Sequence, residues 1–349
     1  MWRPAMRAAT GRPSAFRAAK PPETHKKSQK VRKPVILSEI SEQKSPAAQQ
    51  PRAEAAPKSI ASGLLLAIFG AIGFSGKAII VKLAYRYDGV DPVTLIMLRM
   101  LFALPVFLVM AWWASRGKAP LSRKDWFAVL YLGFTGYYLS STLDFAGLVY
   151  ISASLERLIL YLNPTIVMLI GLLVFKRKVS ARQVTGMIIS YGGVVLVFGQ
   201  ELTLKGAHTA WGSLLVFASA VIYAVYLIYS GEIVKRIGSL RLVGLASTVA
   251  CICCIAQFAV LKPLSAALVP PEVMWLSVLN ATACTAAPVL MVMMAVERIG
   301  ASIAAQTGMI GPLSTIFMGT IFLGERFTAL VAAGTALVLL GVFVVTRNR

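Results

Sequence analysis

The chain has 349 residues, 57% of them hydrophobic and 14% charged, with a mean hydropathy of +0.73 and a formal net charge of +21. Soluble domains hold about 25% charged residues, and so few cannot cover a water-facing surface, so lipid is the solvent for much of this chain. Nucleic acid is excluded as a partner by where the charge sits: in one N-terminal segment and in short loops between apolar runs, without a basic stripe carrying interleaved aromatics.

Residues 1–58 carry thirteen Lys and Arg against Glu23, Glu39, Glu42 and Glu54, and hold no apolar run long enough to span. They are expected to form a disordered, basic, cytoplasmic tail. The first twenty residues carry Arg3, Arg7, Arg12 and Arg17 and no acid, as in an organelle transit peptide, but Pro4 and Pro13 interrupt any amphipathic helix there. A cell-membrane location is therefore expected ahead of an organelle membrane.

A helix needs about 20 apolar residues to cross the hydrocarbon core. Ten runs qualify: 63–83, 93–114, 126–148, 153–175, 183–199, 211–230, 242–261, 274–295, 301–323 and 327–346. Their unbroken apolarity argues against the alternating strands of a barrel. The expected fold class is all-α integral membrane, with ten transmembrane helices. Loop charge orients them. With the tail inside, the inner set holds Arg116, Lys118, Arg123, Lys124, Lys176, Arg177, Lys178, Arg182, Lys235, Arg236, Arg241, Arg298, Arg347 and Arg349. The outer loops hold Arg86, Lys205, Lys262 and Arg326. Fourteen against four predicts both termini in the cytoplasm.

Ala153-Ser154-Leu155 running to Asn163-Pro164 is echoed by Ala301-Ser302-Ile303 running to Gly311-Pro312, an offset of 312 − 164 = 148 that also pairs Gly186 with Gly334 and Gly193 with Gly341. Five spans separate the copies, and an odd number of crossings turns the second upside down, the architecture of alternating access. Two inverted five-helix repeats are expected, at 59–199 and 207–349. Pro164 and Pro312 are expected mid-span, each removing a helical hydrogen bond, and are hinge candidates. Gly70, Gly73 and Gly76 share one helix face and are expected to permit close helix contact.

The segment from Ala153 through Glu156, Arg157, Tyr161, Asn163 and Pro164 to Thr165, followed by a basic turn and Gly186, resembles the EamA-type drug/metabolite transporters. So does the second copy, with Pro312 and the turn Phe322-Leu323-Gly324-Glu325-Arg326. The resemblance covers residues 59–346 and implies a ten-helix transporter of two five-helix repeats, often an exporter of amino acids or other metabolites, with a cavity lined by spans three, four, eight and nine. The first copy departs from the pattern in its turn, Lys176-Arg177-Lys178.

Lys77, Arg99, Asp144, Glu156 and Arg157 are ionisable residues set inside the first repeat's spans. At 1.5 Å per residue they lie within about 10 Å of the outer helix ends. The offset pairs Glu156 and Arg157 with Ala304 and Ala305, so the charge set belongs to one repeat. A charge at this depth is costly unless matched. Either the set binds a charged or zwitterionic substrate, or Glu156 and Asp144 pair with Arg99 and Arg157 as a latch or gate, the cheaper arrangement. Proton coupling through Glu156 or Asp144 is a further expectation. Deeper in the spans, Tyr137, Ser141, Tyr161, Asn163 and Gln306 add donors, acceptors and aromatic walls, and Tyr223 and Tyr226 face either the cavity or a neighbouring helix.

Enzyme readings fall behind. Gly70–Ala78 lacks the glycine spacing and the Ser or Thr of a phosphate-binding loop. The two histidines, His25 and His208, lie in the tail and an outer loop, so neither a metal cluster nor a nucleophile–His pair can be assembled within the bilayer. The cysteines Cys251, Cys253, Cys254 and Cys284 lie in apolar runs and read as small buried side chains. No cofactor and no metal are expected. The expected function is a secondary transporter exporting a small polar metabolite through the lipid bilayer of the cytoplasmic membrane. The alternatives are an importer or exchanger of an organic anion, anchored by Lys77, Arg99 and Arg157, and a non-transporting receptor or scaffold. Oligomeric state is open.

Overall fold

The computed structural model describes residues 57–174, 176 and 179–346; the expected tail lies outside the described residues except for its last two, which begin the first helix. Every regular element among the described residues is helical: α1 (Pro57–Ala84), α2 (Pro92–Ser115), α3 (Arg123–Leu132), α4 (Ser140–Leu148), α5 (Ala153–Leu160), α6 (Asn163–Leu173), α7 (Ala181–Lys205), α8 (His208–Ile237), α9 (Ser239–Leu261), α10 (Pro271–Ala281), α11 (Ala287–Thr307), α12 (Ile310–Met318) and α13 (Ala329–Thr346), with a short 3₁₀ turn at Leu264–Ala267. Wide π-helical turns at Gly133–Leu139 and Thr282–Ala286 join α3 to α4 and α10 to α11, and a third, Gly319–Leu323, follows α12.

Among the described residues, eight helices are long and apolar enough to cross a membrane, and Ile310–Leu323 is a shorter apolar one. The helical run Arg123–Leu148 is not among the eight; Thr135, Tyr137, Tyr138, Ser140, Ser141, Thr142 and Asp144 make it more polar than its neighbours. The starts are local. Ser122 with Asp125 and Ser180 with Gln183 form capping boxes, and Asp91 caps α2 ahead of Pro92. Asp91 accepts from the Val93 and Thr94 amides, from the Thr94 hydroxyl at 2.7 Å and from Lys262 at 3.2 Å. Burial alone would push this carboxyl up, but the bonds from Thr94 and Lys262 outweigh it and hold it below its ordinary value.

The prolines sit differently from expectation. Span four is two helices, α5 and α6, separated by a turn at Tyr161–Leu162, and Pro164 stands in the first turn of α6. There the missing N–H has no helical acceptor to lose. Pro312 likewise stands in the first turn of α12, after a turn at Gly308–Met309. Gly300 (φ 80°, ψ 155°) breaks α11 and divides span eight from span nine.

The repeat relation appears in the packing. α7 and α13 occupy equivalent places in the two copies and pack together. Gly186 approaches Gly341, and Gly193 approaches Gly334. Both pairs have the same index sum, 186 + 341 = 193 + 334 = 527, so the two helices run antiparallel. Equivalent helices of opposite sense are the mark of an inverted repeat. A Cβ at Gly193 would stand 2.5 Å from the Gly334 carbonyl oxygen, which is why this crossing is built from glycine. Exchange of the copies also carries the pairing of α1 with α11 onto that of α8 with α4, and α1 with α12 onto α8 with α6. The first π turn, shifted by 148, falls on residues 281–287 and overlaps the second.

Candidate functional site: a buried charge cluster between the repeats

The N-terminus of α5 is anchored by two carboxylates. Ser152 caps the helix by accepting from the Leu155 amide at 3.0 Å, and Glu201 accepts from the Ser152 amide at 3.1 Å and from its hydroxyl. Glu325, from the other repeat, accepts from the Ala153 and Ser154 amides at 2.7 and 3.2 Å and from the Ser154 hydroxyl at 2.6 Å. These bonds satisfy helix-end amides and suit the positive end of the helix dipole. Glu156 and Arg157 follow within one turn, so their placement is set from both repeats.

Lys77 on α1 reaches both carboxylates: its Nζ lies 2.5 Å from Asp144 Oδ2 and 3.1 Å from Glu156 Oε1. Both acids are almost completely buried, and among the described residues Asp144 Oδ1 and Glu156 Oε2 have no hydrogen-bond partner. The expected pairing of these acids with Arg99 and Arg157 is thus corrected. α1 packs against both α4 and α5 and delivers its ammonium to both acids, while α2 turns Arg99 toward α10–α11.

Arg99 is buried, donates from Nε to Thr285 Oγ1 at 3.1 Å and lies over the Phe145 ring at 5.1 Å, with Nη1 unpartnered among the described residues. Thr285 in turn donates to the Asn280 carbonyl at 2.8 Å, and among the described residues neither polar atom of the wholly buried Asn280 side-chain amide has a partner. Arg157 donates from Nη2 to Ser75 Oγ at 3.2 Å, and its buried Nε has no partner among the described residues. Among the described residues neither arginine has a carboxylate within ion-pair distance.

The remaining expected residues are dispersed. Tyr137 and Tyr226 meet edge-on at 5.1 Å with their hydroxyls 3.2 Å apart, and Tyr223 stacks on Tyr226 at 5.4 Å, so these tyrosines contact one another where spans three and six meet. Ser141 is half-buried; its neighbour Ser140 makes the interhelical bond, to Ser219. Tyr161 is half-buried and packs on the α5 apolar cluster. Asn163 donates to the Leu160 carbonyl at 2.6 Å, closing the break in span four, and its Oδ1 is unpartnered among the described residues. Gln306 lies in the helical turn after Gly300, and its side chain lies outside the described residues. Ser75, Thr285, Asn280, Glu201 and Glu325 were not among the expected site residues; Glu325 stood in the quoted turn motif, while a single hydroxyl or amide in a span carries no sequence signal.

A cavity of about 690 Å³ opens over the α5 N-terminus, lined by Lys82, Tyr85, Arg86, Ser152, Ser154, Gln200, Glu201, Glu325 and Arg326 among others. Glu156 follows Ser152 by one helical turn, so the cavity floor and the charge cluster share α5. Tyr85 donates to the Phe145 carbonyl at 2.8 Å and Arg86 to the Leu323 carbonyl at 2.8 Å, tying α1 to each repeat.

A multi-helix membrane bundle with a repeat of opposite sense and buried charge at its core has the form of a solute carrier. The model of the EamA-like transporter family matches twice, at residues 61–199 and 210–347, and the chain belongs to that family. It is 30% identical over 284 residues to the uncharacterized transporter YcbK of Bacillus subtilis (strain 168), covering 77% of this chain and 88% of that protein. It is 25% identical over 208 residues to the uncharacterized inner membrane transporter YhbE of Escherichia coli (strain K12), covering 58% and 63%. A protein of known crystal structure shares the fold, with a TM-score of 0.56 and 18% identity over 81% of this chain and 96% of the other. The chain is a multi-pass membrane protein of a transporter family.

Proposed function

We propose that this protein exports a small polar metabolite, an amino acid or related compound, across the cytoplasmic membrane by alternating access. The observation that carries the reading is the group Lys77, Asp144 and Glu156: two buried carboxylates on one ammonium, at the packing of α1, α4 and α5 beside two broken spans. Fixed charges left partly unmatched at a membrane core favour a mobile polar partner over a static scaffold, and broken helices frame such sites in transporters built from inverted repeats.

In this reading Arg123–Leu148 and Ala301–Leu323 join the eight long apolar helices to make ten crossings, and residues 59–199 and 207–349 are the moving halves. Residues 1–58 and the C-terminus are cytoplasmic, so the charge cluster and the 690 Å³ cavity lie toward the outside. The turns before Pro164 and Pro312 are the hinges. In the same reading Glu156 or Asp144 couples transport to protons. That coupling is refuted if transport keeps its pH dependence in both Glu156→Gln and Asp144→Asn.

An importer or exchanger of an organic anion is the second reading, favoured by two arginines that, among the described residues, have no carboxylate within ion-pair distance. Metabolite profiling of medium and cytosol separates the readings, comparing cells with equal membrane amounts of wild type and Glu156→Gln/Arg157→Ala. A compound that accumulates outside only with the wild type supports export and names the substrate. No difference across a broad panel counts against export of a common metabolite.

A further inference from the structure

The five charges Lys77, Arg99, Asp144, Glu156 and Arg157 sum to 3 − 2 = +1. Both carboxylates sit on Lys77, and Arg99 is held by Thr285 and the face of Phe145. Arg157 is held by the 3.2 Å bond to Ser75 Oγ. That hydroxyl lies 2.7 Å from the Ala71 carbonyl and 2.8 Å from the Gly311 carbonyl, so its proton points at a carbonyl and a lone pair meets the guanidinium. Ser75 therefore steadies Arg157 without neutralising it. A Cβ at Gly311 would stand 2.8 Å from Arg157 Nη2, so glycine leaves the guanidinium its room where span nine restarts. Arg157 is only partly buried, and its Nε is an unused donor among the described residues. A guanidinium in a span without a counter-charge is costly, and its planar fork matches a carboxylate.

We propose that Arg157 receives the carboxylate of the transported substrate, with Ser75 and Gly311 as the positioning residues that hold it in place. The inference rests on the transport reading above. Arg157 lies on α5, Ser75 on α1 and Gly311 on α12, so a substrate bound here touches a node shared by both repeats, and its binding energy can bias one arrangement over another.

The test profiles medium and cytosol of cells carrying empty vector, wild type, Arg157→Gln, Arg157→Lys, Ser75→Ala and Gly311→Ala at equal membrane amounts. Transport of the compound found is then compared with that of its amide. The expected result is a carboxylate-bearing compound whose transport falls about tenfold or more in Arg157→Gln, the size of a lost charge-assisted hydrogen bond. Preference over the amide collapses in that variant, Arg157→Lys retains part of it, and Ser75→Ala and Gly311→Ala raise KM more than they lower the maximal rate. Overturning results are a transported compound without an anionic group, wild-type transport by Arg157→Gln, or equal loss of acid and amide transport in both Arg157 variants. If wild type and empty vector do not differ for any compound, the transport reading itself fails and this assignment with it.

Discussion

Lys77 stands between two acids that, among the described residues, have no other cation within ion-pair distance. Replacing it with Met leaves adjacent buried carboxylates, a change that costs about 3–5 kcal/mol when one member of a buried ion pair is removed. Lys77→Met should therefore lower the melting temperature of the purified protein in detergent, and Lys77→Met/Glu156→Gln should recover part of the loss. A single variant that melts like wild type would show that these charges are hydrated. Asp91 offers a pH-dependent case outside the spans. Its carboxyl is held low in the folded protein, so its stabilisation is present above the ordinary carboxylate range and fades as pH falls through the folded value. Asp91→Ala should cost about 1 kcal/mol near neutrality, as lost helix caps do. Melting curves against pH should show the gap to wild type closing in acid. The charged residues were legible because a charge inside an apolar run stands out. Which cation met which acid was not, since Lys77 and Asp144 are 67 positions apart.

At the scale of elements, the close crossing of α7 and α13 depends on backbone approach. Gly193→Leu should destabilise by about 1–3 kcal/mol, the usual range for overpacking a tight contact. A Cβ at the adjacent Gly192 would meet no atom within 4 Å, so Gly192→Leu should be nearly neutral. Thermal unfolding of the two variants side by side checks the crossing, and equal melting would refute it. Hydropathy made ten spans legible; among the described residues eight are long apolar helices and a ninth is the shorter Ile310–Leu323. The broken middle of span four was not, because Tyr161-Leu162 reads as ordinary apolar helix. The π turns were also hidden, since a one-residue widening leaves no compositional trace.

For the whole molecule, the proposed orientation predicts which loops meet the outside. In intact cells a membrane-impermeant maleimide should label Ala207→Cys, between α7 and α8, and spare Ala119→Cys, between α2 and α3, until the membrane is opened. Three of the native cysteines are buried, which keeps the background low. The reverse pattern would invert the topology and place the 690 Å³ cavity toward the cytoplasm.

The sequence by itself determined that the protein lives in lipid, that it carries two copies of one unit, and that charge gathers in the first copy. Hydropathy, loop charge and a fixed 148-residue offset are local or additive properties, and they survive without knowledge of contacts. Tertiary structure decided the rest: Lys77 rather than the arginines pairs with Asp144 and Glu156, Glu325 of the second repeat caps α5 of the first, and Arg157 rests on Ser75 and Gly311. Each of these joins residues at least 67 positions apart, and buried polar partners are chosen by which helices pack together, which no single segment encodes.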